Sequence, residues 1–165
     1  MQILNAEEPV HCPPEAASAL IEPALRALAR GPMLVIRVPL LRSTGESDLA
    51  LVHEVRFRIS HMRDESGLND LVRITWEPES LIPMPDFTGT LTADWNADAT
   101  GFVLELEGEY DPPGGIVGEV FDAFVGSRIA FATMHDLLCR TAGAVDELYQ
   151  RAVTTGAPSS AEQAL

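Results

Sequence analysis

The sequence predicts an α+β domain: a first strand, two short helices, an antiparallel sheet of about six strands in all, and one long C-terminal helix. Three observations carry this. From Met33 to Tyr110 apolar residues recur with a period of two, as in strands with one buried face. Turns such as STGES, RDESG and NADATG, rich in polar residues and glycine, interrupt that run. From Ile116 the spacing changes to three and four, the period of a helix with one buried stripe.

A first strand falls within residues 2 to 11. Residues 13 to 31, PPEAASALIEPALRALARG, are rich in Ala and Leu. Pro14 opens a helix, Pro23 is expected to break or restart it, and Gly31 to end it, giving two short helices. In MLVIRVPLLR the residues Leu34, Ile36, Val38 and Leu40 share a face, and Pro39 on the other face favours an edge or a bulge. Next, Leu49, Leu51, His53, Val55, Phe57, Ile59 and His61 face one way, with Glu54, Arg56, Arg58 and Ser60 opposite. NDLVRITWE continues with Val72, Ile74 and Trp76 on the buried side, and the expected register sets His53 opposite Trp76.

The last two strands read as a hairpin. Centring it on NADATG pairs Trp95 with Phe102, Leu91 with Leu106 and Phe87 with Tyr110, cross-strand pairs that stabilise a sheet by a few tenths to about 1 kcal/mol each. The same register sets Gly89 opposite Gly108, leaving a notch where the sheet can bend or another element can approach. A helix from Ile116 to about Arg151, buried through Val117, Phe121, Phe124, Phe131, Leu138, Val145 and Leu148, would be about 52 Å long. Gly126 and Gly143 mark places for bends. The domain is expected over residues 1–152, with 153–165 a disordered tail.

With 165 residues, 46% of them hydrophobic, the chain is large enough for one domain with its own core. A net charge of −14 excludes nucleic acid and anionic membrane surfaces as partners. All 11 basic residues are arginine, which excludes Schiff-base chemistry and a Walker A lysine. No apolar stretch is long enough to span a bilayer. MQILNAEEPV lacks a secretory pattern, so a cytoplasmic location is expected. Cys12 and Cys139 form no CxxC pair and are expected to be free thiols. No metal and no cofactor are expected.

The stretch GEYDPPGGIVGEVFD, residues 108 to 122, has the strand–glycine–helix order of a phosphate cradle. The dinucleotide fingerprint fails, because Pro113 holds the place of its first glycine and no second parallel strand follows. Glu109, Asp111, Glu119 and Asp122 would repel a phosphate. The turn is expected to be a connection.

PMPDFTGTLTADW followed by LELEGEYDPPGGIVGEVFDAFVGSRIAFATMHDLL resembles the end of uncharacterised bacterial members of the START/polyketide-cyclase (SRPBCC) superfamily. The recurring residues are Phe87, Gly89, Gly108, Tyr110, Pro112, Pro113, Gly118 and Asp122. The resemblance implies the helix-grip fold, a curved sheet wrapped on the long helix with a cavity for an apolar ligand. It implies no single chemistry, since members include lipid carriers, hormone receptors, aromatase/cyclases and an activator of a chaperone ATPase.

Among residues that could carry chemistry, His53 and His61 lie about 26 Å apart along one strand and cannot share an ion. His53 reads as a hydrogen-bonded core residue, or as a donor to a ligand carbonyl. His135 and Asp136 are adjacent on a helix and do not face each other. His11 is isolated. No GxSxG, HExxH or EF-hand pattern occurs. Glu105, Glu107 and Glu109 read as a solvated outer face. The expected pocket lining is His53, Phe57, Trp76, Phe87, Trp95, Phe102, Tyr110, Phe121, Phe124, Phe131 and Met134. Tyr110 and the tryptophans need polar partners and could orient a ligand. The expected function is binding of a small hydrophobic or amphipathic ligand between sheet and C-terminal helix. The alternatives are a cyclase/dehydratase-like enzyme using His53 or His135 with Tyr110, and an interaction module or homodimer.

Overall fold

The computed structural model describes residues 2–39, 50–63, 70–78, 86–95, 101–111 and 119–155. In chain order they form β1 (Gln2–Val10), α1 (Pro14–Leu28), β2 (Ala29–Arg30), β3 (Met33–Pro39), β4 (Ala50–Arg63), β5 (Asp70–Pro78), β6 (Asp86–Trp95), β7 (Phe102–Asp111) and α2 (Glu119–Thr154). The strands make one antiparallel sheet in the order β1-β7-β6-β5-β4-β3-β2. The glycine-rich connection at 112–118 and the tail at 156–165 lie outside the described residues.

Two elements differ from expectation. The helical region is one helix, α1, which passes through Pro23. Pro23 lacks the N–H that would bond the carbonyl of Ala19. Both residues are exposed, so water can take that carbonyl while the buried stripe of Ile21, Ala24 and Leu25 continues. The seventh strand is β2. Gly31 adopts φ +63°, which favours glycine, and folds Ala29 and Arg30 back onto Leu34 and Met33. Proline stands where the pattern requires: Pro9 on the edge strand β1, and Pro39 at the end of β3, beyond the residues that β2 covers.

The β6–β7 register is the expected one, with Trp95, Leu91, Gly89 and Phe87 opposite Phe102, Leu106, Gly108 and Tyr110. The notch between the two glycines is filled from within the hairpin, by the ring of Phe87. A Cβ at Gly108 would stand 2.3 Å from that ring and one at Gly89 2.6 Å from it. The β4–β5 register corrects an expectation: Trp76 pairs with Phe57, and His53 lies past the last pair, Val55 with Pro78. Pairing continues to Arg63 opposite Asp70. That centres the turn two residues further along the chain than a His53–Trp76 pair needs.

The sheet curls around α2. Arg140 Nη2 donates to the Val35 carbonyl of β3 at 2.9 Å, while Cys139 Sγ lies 3.4 Å from Glu8 Oε2 of β1. Adjacent helix residues therefore reach strands five places apart in the sheet, about 24 Å if it were flat. Only a curled sheet allows this. The face of α2 inside the curl is Ala130, Thr133, Met134, Leu137, Leu138, Thr141, Ala142 and Val145, all buried. The helix runs without interruption past Gly126 and Gly143.

Candidate functional site

Successive registers join Phe57, Trp76, Phe87 and Tyr110 into one rung of four aromatic residues across β4, β5, β6 and β7. All four are buried. The Trp76 and Phe87 rings stack, with centroids 3.9 Å apart and planes 13° from parallel. Phe87 can lie this flat because the next rung holds Gly89 and Gly108.

At the β4 end of the rung a half-open pocket of about 200 Å³ is lined by Arg26, Ala29, Gly31, Phe57 and Ile59, with Arg26 and Gly31 at its exposed rim. It sits where the end of α1 and the β2–β3 turn cover the inner face of β4. Arg26 Nε donates to Glu22 Oε1 at 2.6 Å, and Glu22 Oε2 also meets His61 Nε2. The His61 and Arg26 contacts hold the Glu22 carboxyl below its ordinary range. The Trp76 indole N–H, beside Phe57 in the rung, is buried and has no hydrogen-bond acceptor among the described residues.

The remaining expected lining residues divide. Phe102 and Met134 are buried in the core. His53 is half-buried on the inner-facing side of β4, opposite Ile36 of β3. Phe131 is 43% exposed and meets the His135 ring, centroids 6.1 Å apart, instead of facing the interior. The side chains of Trp95, Phe121 and Phe124 lie outside the described residues. His53 and Tyr110 stand on β4 and β7, with β5 and β6 between them, and His135 sits beyond β7 against β1.

Histidines 11, 61 and 135 each pair with a carboxylate from a different element. His11 binds Asp146 through both its backbone N–H, at 3.0 Å, and its ring Nδ1, at 3.3 Å. His135 Nε2 lies 3.8 Å from Glu8 Oε2, and Cys139 Sγ lies 3.4 Å from His135 Nδ1. Burial, then the nearby Glu8 carboxylate, pushes the Cys139 thiol up to about 11. Cys12 is buried and likewise raised to about 11, mainly by desolvation. Both cysteines are free. Expecting no metal role for Cys139, the sequence reading missed its grouping with Glu8 and His135. Two signals were available: a His–Cys spacing of four on a helix, and Glu8 sharing the inward parity of Ala6 and Val10. It set Ile59 on the same face as Phe57 without placing it in the pocket lining, and it missed Arg26, an exposed α1 residue outside the buried stripe.

Two solved structures are similar over most of this chain. One is TTHA0849 from Thermus thermophilus, with TM-score 0.52 and 18% identity over 89% of this chain and 99% of that one. The other is norcoclaurine synthase from Thalictrum flavum in complex with dopamine and hydroxybenzaldehyde, with TM-score 0.50 and 16% identity over 91% of this chain and 87% of that one. The chain has the helix-grip fold. At these identities the likeness concerns the fold alone. No family model and no curated protein matches the chain. No helix among the described residues is long and apolar enough to cross a membrane.

Proposed function

We propose that this helix-grip chain is a binding protein for a small amphipathic molecule carrying a hydrogen-bond acceptor. The observation that supports this best is the Trp76 indole N–H, buried and without a hydrogen-bond acceptor among the described residues, on the strand next to Phe57, which lines the pocket. An unsatisfied buried donor costs about 1–3 kcal/mol. A carbonyl, carboxylate or ether oxygen that reached past Phe57 to this N–H would recover that energy, while Phe57 and Ile59 supply apolar contact. At about 200 Å³ the cavity is smaller than ordinary drug-sized sites, which start at about 300 Å³. It suits a single-ring compound or a short acyl chain, not a sterol.

Titration with a single-ring phenol, a short-chain fatty acid, an aromatic polyketide and a sterol, followed by tryptophan fluorescence and native mass spectrometry, tests the reading. The expected result is a one-to-one complex with the phenol or the fatty acid, and none with the sterol. Trp76→Phe is expected to weaken binding about tenfold, the equivalent of about 1.4 kcal/mol, without unfolding the chain. Absence of any complex across the panel, with nothing copurifying, contradicts it.

A further inference from the structure

The seam between β1 and α2 gathers three different metal-ligating side chains. Glu8, His135 and Cys139 each offer one ligand atom, all within 4.8 Å of one another. His135 and Cys139 are one helical turn apart on α2, so the helix presets their spacing. Glu8 comes from β1 on the inward parity, between Ala6 and Val10, and meets them across the seam.

The spacing matches a coordination shell. Ligands on a tetrahedral zinc ion, at about 2.3 Å for sulfur and about 2.0–2.2 Å for nitrogen and oxygen, stand about 3.3–3.6 Å apart. Here Cys139 Sγ is 3.4 Å from Glu8 Oε2 and 3.9 Å from His135 Nε2, and the latter two atoms are 3.8 Å apart. Closing the triangle onto an ion needs shifts of about half an ångström or less. The His135 side chain is 46% exposed and that of Glu8 29%, so an ion can enter and a water can complete the shell. Phe131, one turn before His135, packs against the imidazole and orients it.

We propose that Glu8, His135 and Cys139 form a binding site for a divalent transition-metal ion of the zinc class. The cation replaces the proton on Cys139 sulfur, which leaves to solvent, so that a sulfur–metal bond forms as the S–H bond breaks. The thiolate and imidazole select such an ion over magnesium and calcium, which take oxygen ligands. This site stands at the β1–α2 seam and is independent of ligand binding at the Phe57 cavity.

Cobalt(II) titration of the chelator-stripped, untagged full chain reads the site directly. One ion per chain is expected, with a thiolate-to-cobalt charge-transfer band, tetrahedral d–d bands, and loss of both on adding equimolar zinc. Cys139→Ala abolishes the charge-transfer band. His135→Ala and Glu8→Gln weaken cobalt binding by about tenfold or more, and Cys12→Ala leaves it unchanged. Circular dichroism checks the fold of each variant, and Glu8→Gln decides if Cys139→Ala does not fold. Absence of a charge-transfer band with excess cobalt, its survival in Cys139→Ala, or unchanged affinity in Glu8→Gln overturns the proposal.

Discussion

Across β5, β6 and β7 the interior is closed by rings lying on glycines. Along β1 and β3 polar and charged contacts to α2 border the buried Ala6, Val10, Leu34 and Ile36. In the first region Phe87 sits over Gly89 and Gly108 with Trp76 stacked on it. In the second, Arg140 binds Asp136 at 2.9 Å and the Val35 carbonyl at 2.9 Å, Glu8 meets His135 and Cys139, and Asp146 holds His11. The aromatic face packs without direction beyond shape. The seam is directional, and fixes how far the sheet curls onto the helix.

Breaking the aromatic face should have the largest effect. Phe87→Ala removes the ring that fills the glycine notch and is expected to cost about 3–5 kcal/mol in denaturant unfolding. Gly108→Ala attacks the same contact from the other side, since the new Cβ would stand 2.3 Å from Phe87. Overpacking of this kind costs about 1–3 kcal/mol. Combined with Phe87→Leu it should cost less than the sum of the two, because the methyl then gains room. Additive costs would mean that the ring does not lie on the glycines.

The seam should break more cheaply. Arg140→Met leaves the Val35 carbonyl and the Asp136 carboxylate without their partner, and is expected to cost about 1–3 kcal/mol. Faster hydrogen exchange should appear in β3 and spare β6 and β7. A uniform increase across the sheet would erase the distinction between the regions.

The last effect is alkaline. Burial raises both thiols from 9.0 to about 11, so between these values the folded chain holds protons that the unfolded chain has lost. The stability they contribute is present below pH 9 and disappears as the pH rises towards 11. Thermal unfolding midpoints should fall over that window, less steeply in Cys139→Ala. Equal slopes in the variant and the parent would place the dependence on other groups.

The aromatic face was legible in the sequence and the seam was not. The β6–β7 register could be read because a short turn ties Phe87 to Tyr110 and Gly89 to Gly108, and alternation does the rest. The same reasoning missed by four residues on β4, where pairing continues to Arg63 and Asp70 and sets Phe57, not His53, beside Trp76. Pro23 was expected to break or restart the helix, but a proline on an exposed face leaves only a solvated carbonyl. Contacts such as Glu8 with Cys139 and His11 with Asp146 join residues more than a hundred positions apart. No local period encodes these, so His11 read as isolated, Cys139 as a free thiol, and Glu8 and Asp146 as ordinary carboxylates.

The proposed binding role requires the Trp76 N–H to bond an acceptor on the ligand. The chain has two tryptophans, so Trp95→Phe leaves Trp76 as the only indole in a proton–nitrogen correlation spectrum. On saturation with the phenol or the short fatty acid, its indole resonance should move downfield and exchange more slowly with solvent. An indole signal that stays in place while bound ligand is seen by mass spectrometry would contradict the account.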